Sequence, residues 1–405
     1  MTGAASVRAA RLAWFGAGVA ATIVALDRIV AWAQLAKGDV RGADFFSFYA
    51  AAKLVTVRGG EHLYEAGSQR LFQDQVTSAW PGHYVLLPFL HPPYYALLIA
   101  PLAALPFHTA YLVMAATSAT LLGAALFCML RAGHLGGAAA AWIATTMSVS
   151  FLPVFVVFLQ GQSDMVVLLP LCLSFLFWVR GRPGWSGLCA GLAISKPQLL
   201  LLIPVVFVVR RSGRALAGYA AGAGGLLIAS LPFFGIRGWA AYIGVIAPWV
   251  VSGDRHFPIT GQTVFSLRGL LEGAPGGRPV ALVLLVLAAV AAVVIIAARP
   301  PTPGLDMAFA VSASLLLSPY QNLHDLSLLL LPGLATVALA RQGALRHPGT
   351  GVAILLVAYV AVDLTLQIGP QAAALTSLVL TLYLGWESLG PGPRIVAGTT
   401  ATQAS

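Results

Sequence analysis

Apolar stretches of about 20 residues, each long enough as a helix to cross roughly 30 Å of hydrocarbon, recur along this chain between Arg-rich or Gly/Pro-rich gaps. Inside a bilayer every backbone N–H and C=O must find its partner within the protein, and apolar runs of this length satisfy that as helices. The pattern predicts an all-α, polytopic membrane bundle. Composition agrees, with 59% hydrophobic and 9% charged residues, against roughly 25% charged in a soluble domain.

The net charge is +10, yet the arginines stand in ones and twos at the ends of apolar runs. They do not form a basic helix face with interleaved aromatics, so nucleic acid is not the expected partner; they report topology instead. Cys128, Cys172 and Cys189 lie inside apolar segments at spacings that fit neither a metal site nor a disulfide framework, and read as small core residues.

Arg8 and Arg11 precede the first span, Leu12 to Leu35, which is too long for a signal-peptide core and reads as an anchor with a cytoplasmic N-terminus. Residues 36–92 then form a large external loop, with mixed-face helices expected over Phe45–Val57 and Ser68–Ala79 as a lid at the membrane surface. Pro93–Ala104 is too short to cross and reads as a re-entrant or interfacial piece.

Returning spans end at Arg131, Arg180, Arg210, Arg299, Arg341 and Arg394, all on the cytoplasmic side. The run Trp185–Val209 is broken at Lys196-Pro197-Gln198, which places a pair of short helices around an external turn. A second external loop covers 235–277, with His256 and Gln262. The count is about 12 crossings, in a single domain over 1–389 with a cytoplasmic tail at 390–405.

With this topology Asp44, His91, Gln160, Gln162, Asp164, Lys196, Gln198, Tyr320, Gln321, His324 and Asp325 gather at the external face, while the cytoplasmic ends hold almost only arginine. Ionisable groups near hydrocarbon are costly, so a one-sided cluster marks a site. A transporter or flippase of lipids or glycans is the alternative class. It needs polar groups near the midplane, where this chain offers only Asp27 with Arg28, read as a local pair, and Asp363. Phosphate-cradling loops, paired-His zinc motifs, serine elbows and Asp-x-Asp triplets are all lacking.

Several stretches carry a family pattern. They are Gly42-Ala43-Asp44-Phe45-Phe46-Ser47-Phe48-Tyr49 through Lys53, Gly60-Glu61-His62-Leu63-Tyr64, His91-Pro92-Pro93, Gln160-Gly161-Gln162-Ser163-Asp164, and Gly187-Leu188 through Ser195-Lys196-Pro197. In order and content these resemble glycosyltransferase family 87, although the family usually has Tyr where His91 stands. The resemblance implies a GT-C-like bundle that takes a sugar, often mannose, from a polyprenyl-phosphate donor and passes it to an extracytoplasmic glycolipid or glycan acceptor beside membrane lipid. It implies Asp44, in the first external loop, as the base, and no cofactor.

The chemistry supports the same assignment. Inverting transfer needs one carboxylate to take the acceptor proton, and phosphate leaves without an acid. A leaving phosphate needs donors or positive charge, for which Lys196, His324, His91, Gln160 and Gln162 are the external candidates, with Gln198, Tyr320 and Gln321 beside them and no metal required. Each has a plainer reading: Asp44 as N-cap of the helix starting at Phe45, Lys196 as a snorkelling helix breaker, His324-Asp325 as a structural pair, and the two glutamines as turn residues.

Overall fold

The computed structural model describes residues 2–37, 44–78, 86–252, 264–271, 277–298, 300 and 302–389. Helices and turns make up all of these, with no strand among the described residues. In chain order the helices are α1 (Thr2–Lys37), α2 (Phe45–Arg58), α3 (Ala66–Thr77), α4 (Pro93–Ile99), α5 (Phe107–Ala132), α6 (Ala138–Ser150), α7 (Leu152–Gln160), α8 (Asp164–Val179), α9 (Pro183–Leu192), α10 (Leu202–Val209) and α11 (Gly213–Ser252). They continue as α12 (Leu267–Leu271), α13 (Gly277–Ala298), α14 (Pro303–Leu317), α15 (Leu330–Arg341), α16 (Pro348–Asp363), α17 (Thr365–Ile368) and α18 (Gln371–Leu389).

Five of these are long and apolar enough to cross a membrane: the Leu12–Lys37 part of α1, α5, the Gly213–Ile246 part of α11, the Pro279–Ala298 part of α13, and α18. A sixth arises if α6 and α7, bent by 59° at Phe151, count as one span. α8, α14 and α16 are apolar but shorter. Chain hydropathy therefore locates the elements well, but the twelve expected crossings exceed what long helices alone account for.

α14 is the central post, buried at every residue from Gly304 to Leu317. α13 by contrast exposes Val283, Val286, Leu287, Val290 and Val294 on its outer surface, as a lipid-facing helix does.

The break expected at Lys196 is present: α9 stops at Leu192, a 3-10 turn spans Pro197–Leu199, and α10 begins at Leu202. Glycines lock α9 against α11. A Cβ at Gly187 would stand 1.9 Å from the Ala215 carbonyl, and one at Gly222 would stand 2.4 Å from the Leu188 carbonyl. Only hydrogen at these positions lets the two backbones touch, the packing that small residues four apart give to membrane helices.

Two expectations are corrected. α2 is no surface lid, since Phe45 to Ala52 and Leu54 are all buried; α3, α4 and α5 cover it from several sides, and only its last turn, Thr56 to Arg58, is exposed. At residue 235, where the second external loop is expected to open, the helix does break. Gly235 takes φ 59° and ψ −179°, outside the helical region, so α11 is two helices that meet in a kink there, the second running to Ser252. Arg28 leaves the exposed Asp27 alone and pairs across the bundle with Asp363, while also donating to the Ser150 carbonyl at the α6–α7 bend. His256, Gln262 and the tail at 390–405 lie outside the described residues.

The glycine contact predicts a sharp contrast. Gly187→Ala drives a methyl into backbone and costs about 1–3 kcal/mol. Gly224→Ala, in α11 with no atom within 4 Å, is neutral or stabilising by up to about 1 kcal/mol. Thermal unfolding of the two purified variants in detergent checks the difference, and equal midpoints would refute the close-contact argument.

Candidate active site

The site is assembled at the end of the bundle where α1 and α7 finish and α2, α5 and α8 start. Two anchors fix the end of α1 there: Trp32 Nε1 donates to the Tyr111 hydroxyl at 3.0 Å and His108 Nε2 meets the Ala36 carbonyl at 2.6 Å.

α7 ends at Gly161, which takes φ 62° and ψ 39° and so turns the chain in a left-handed conformation suited to glycine. The next three residues each hold a different part of the site. Gln162 Nε2 donates to Asp44 Oδ2 at 2.6 Å, the Ser163 hydroxyl meets His91 Nε2 at 2.8 Å, and Asp164 reaches both Lys196 and His324.

Asp44 precedes α2, and its side chain makes no capping bond. The plain N-cap reading therefore fails, because the carboxylate is turned to Gln162 instead of the helix N–H groups. Gly161 lies directly against Phe45, where a Cβ would stand 2.8 Å from the Phe45 Cβ, so the turn and the start of α2 are packed as one unit.

Around Lys196 is a buried charge cluster. Its Nζ donates to Asp164 Oδ1 at 2.8 Å and Asp325 Oδ1 at 2.7 Å, and His324 Nδ1 meets Asp164 Oδ2 at 2.9 Å. Lys196, Asp164, His324 and Asp325 are each 5% exposed or less. The snorkelling reading of Lys196 is overturned, since a lysine this enclosed must be paired.

Burial alone would push the Lys196 ammonium down, but the Asp164 and Asp325 carboxylates outweigh it and hold the group at about 12. Burial and Lys196 likewise oppose the charge on His324. The Asp325 and Asp164 carboxylates win, raising the imidazole to about 9. Asp325 would rise on burial, yet the Lys196 and His324 charges hold it well below the ordinary carboxylate range. Two anions and two cations thus balance in a low-dielectric enclosure.

Asp164, His324 and Asp325 present oxygen and nitrogen atoms within 4.8 Å of one another, a grouping that could ligate a cation. The Lys196 ammonium already sits on an oxygen of each carboxylate, where such a cation would bridge them.

His91 stands apart from the charges. Its ring lies 4.6 Å from Tyr95 and 5.0 Å edge-on to Phe48, and burial, then the Lys196 charge, push it well below the ordinary imidazole value, so it is neutral. α3 positions the segment leading to it: Gln73 Nε2 donates to the Leu87 carbonyl at 2.6 Å, and Gln69 Oε1 accepts from the Phe89 amide at 2.8 Å.

Tyr320 lies in the field of Asp325, Asp44 and Lys196, its phenol pushed up to about 12, first by burial. Two predicted residues stand aside. Gln321 turns its amide nitrogen to the Phe265 and Leu315 carbonyls at 3.1 and 2.7 Å and fastens the chain there. Gln198, half-buried, takes no part in the hydrogen bonds of the charge cluster.

Buried side-chain atoms with no hydrogen-bond partner include Gln160 Oε1, Ser195 Oγ and His324 Nε2. An unmet buried polar atom costs about 1–3 kcal/mol, and these three belong to the segments that carry Asp164, Lys196 and Asp325. Sequence reasoning placed Asp164 and Asp325 in the external cluster, the latter as a structural partner of His324, but gave neither of them nor Ser163 a part in the chemistry. The available signal was two acids flanked by long apolar helices, where an unpaired carboxylate is costly.

The fold and this enclosed, one-ended cluster define a membrane-embedded protein with an enzyme-like polar site. The sequence profile of glycosyltransferase family 87 matches residues 89–319, more than half of the chain, and the protein belongs to that family: it is a glycosyltransferase. The matched region contains His91, the Gln160–Asp164 turn and Lys196, while Asp44, His324 and Asp325 lie outside it. No curated protein and no solved structure matches the chain.

The cluster predicts a pH signature. Because the folded His324 lies near 9 against 6.5 ordinarily, its contribution to stability is complete below about 6.5, declines above it, and is lost as pH rises through about 9. Thermal unfolding from about pH 6 to about 10 should show this decline in wild type and a flatter curve in His324→Gln; parallel curves would contradict a protonated His324.

Proposed function

We propose that this glycosyltransferase takes its sugar, mannose in the first instance, from a polyprenyl-phosphate donor and passes it to a glycolipid or glycan outside the cytoplasmic membrane. The short apolar helices then complete a GT-C-like bundle of about 12 crossings, both termini cytoplasmic. Asp44 is the base: it removes the acceptor hydroxyl proton while that oxygen attacks the anomeric carbon. The carbon–phosphate oxygen bond breaks with its electron pair leaving on phosphate, in a single inverting displacement.

The observation that carries the reading is the shared turn. Gln162 holds the Asp44 carboxylate and Asp164, two residues on, holds His324 and Lys196, so base and cation cluster are fixed to one rigid piece of backbone. His324 is buried and protonated, with Nε2 unmatched. It offers a charge-assisted donor to the leaving phosphate. Lys196 supplies the cation between Asp164 and Asp325, which supports a metal-independent reaction. His91, Gln160 and Tyr320 complete the donor side.

The test is sugar transfer by purified protein in lipid, with EDTA present, from a panel of radiolabelled polyprenyl-phosphate sugars and nucleotide sugars to endogenous glycolipid extract. Label entering glycolipid from polyprenyl-phosphate mannose is the expected result. Transfer only from nucleotide sugars, or only after a divalent ion is restored, would overturn the proposed donor or the metal-free mechanism.

A further inference from the structure

Two cavities flank the turn between α5 and α6, at the end of the bundle away from the site, and Leu135 lines both. The first has a volume of about 680 Å³ and carries three basic side chains, Arg131, His134 and Arg180, with no carboxylate among its described lining residues. His134 holds φ 52°, where glycine is the ordinary choice. Phe127, beneath the Arg131 guanidinium at 5.1 Å, and Leu130 give the cavity an apolar wall.

The second is a groove of about 970 Å³ between α1, α6, α15, α16 and α18, again without a carboxylate among its described lining residues. Its lining follows one face of α16 from Pro348 to Val362, roughly 20 Å of helix, or more than the roughly 15 Å of one leaflet. Arg341 lines it together with Leu135.

We infer that the pair of cavities is a binding site for an anionic phospholipid of the leaflet opposite the active site, its phosphate among Arg131, His134 and Arg180 and an acyl chain passing over Leu135 into the groove. Arginine at helix ends also reports topology and offsets the helix dipole, but neither role calls for a cavity free of carboxylates beside a chain-length groove. Charge complementarity selects a phosphate headgroup. Length separates this lipid from the sugar donor: α5 runs 26 residues from the active-site end to Arg131's end, about 39 Å, so one phosphate cannot serve both places.

Native mass spectrometry of the full-length protein in neutral detergent tests the site, with phosphatidylglycerol, phosphatidylcholine and inorganic phosphate as probes. Wild type is expected to retain one phosphatidylglycerol at least about tenfold more tightly than phosphatidylcholine, with inorganic phosphate a poor competitor. Arg131→Gln/Arg180→Gln should erase that preference, and Gly333→Trp, which fills the groove, should weaken retention with the arginines intact. Equal retention of the two lipids by wild type overturns the proposal without reference to any variant. Inorganic phosphate binding as tightly as the lipid, or an unchanged affinity in either variant, overturns it too.

Discussion

Gln162, Ser163 and Asp164 follow one another on a turn that Gly161 makes possible, and their side chains diverge to Asp44, His91 and the Lys196–His324 pair. Consecutive residues leaving a turn cannot shift independently, so Gln162, which holds the base, and Asp164, which holds the cation cluster, move as one piece of backbone. Much of the rest serves that turn: Trp32, Tyr111 and His108 seat the end of α1 beside it, and α3 braces the segment that brings in His91.

The electrostatics follow from the same arrangement. Four ionisable groups in a nearly dry enclosure are tolerable only if each is matched, and here the two acids face the two bases. The balance explains why Lys196 remains charged although buried, and why His324 keeps a proton at neutral pH. It also leaves Nε2 of His324 as a donor with no protein partner. A phosphate oxygen arriving there would find a charge already fixed in place, which is how a preorganised site lowers the cost of charge developing on a leaving group.

Hydropathy made the helices, the break before Pro197 and the one-sided polar cluster legible in the sequence, because each depends on local composition. Pairings did not show. Lys196 finds its carboxylates 32 and 129 residues away, and Arg28 passes over its neighbour Asp27 for a partner 335 residues distant; only the folded bundle brings these together. α2 misled for a related reason, since its mixed face suggested an interface helix while its true environment is set by α3, α4 and α5 closing over it. Gln321 looked like a ligand-binding amide because nothing in the sequence reveals that two backbone carbonyls would take its donors.

The claim on which the account turns is that Asp44 removes the acceptor proton. Single-turnover transfer from pre-bound radiolabelled donor, compared between wild type and Asp44→Asn, measures it most directly. The account predicts an asparagine variant that folds, keeps its donor affinity and loses transfer by at least about 100-fold. A variant that binds donor normally and transfers at a rate near wild type would show that the base lies elsewhere.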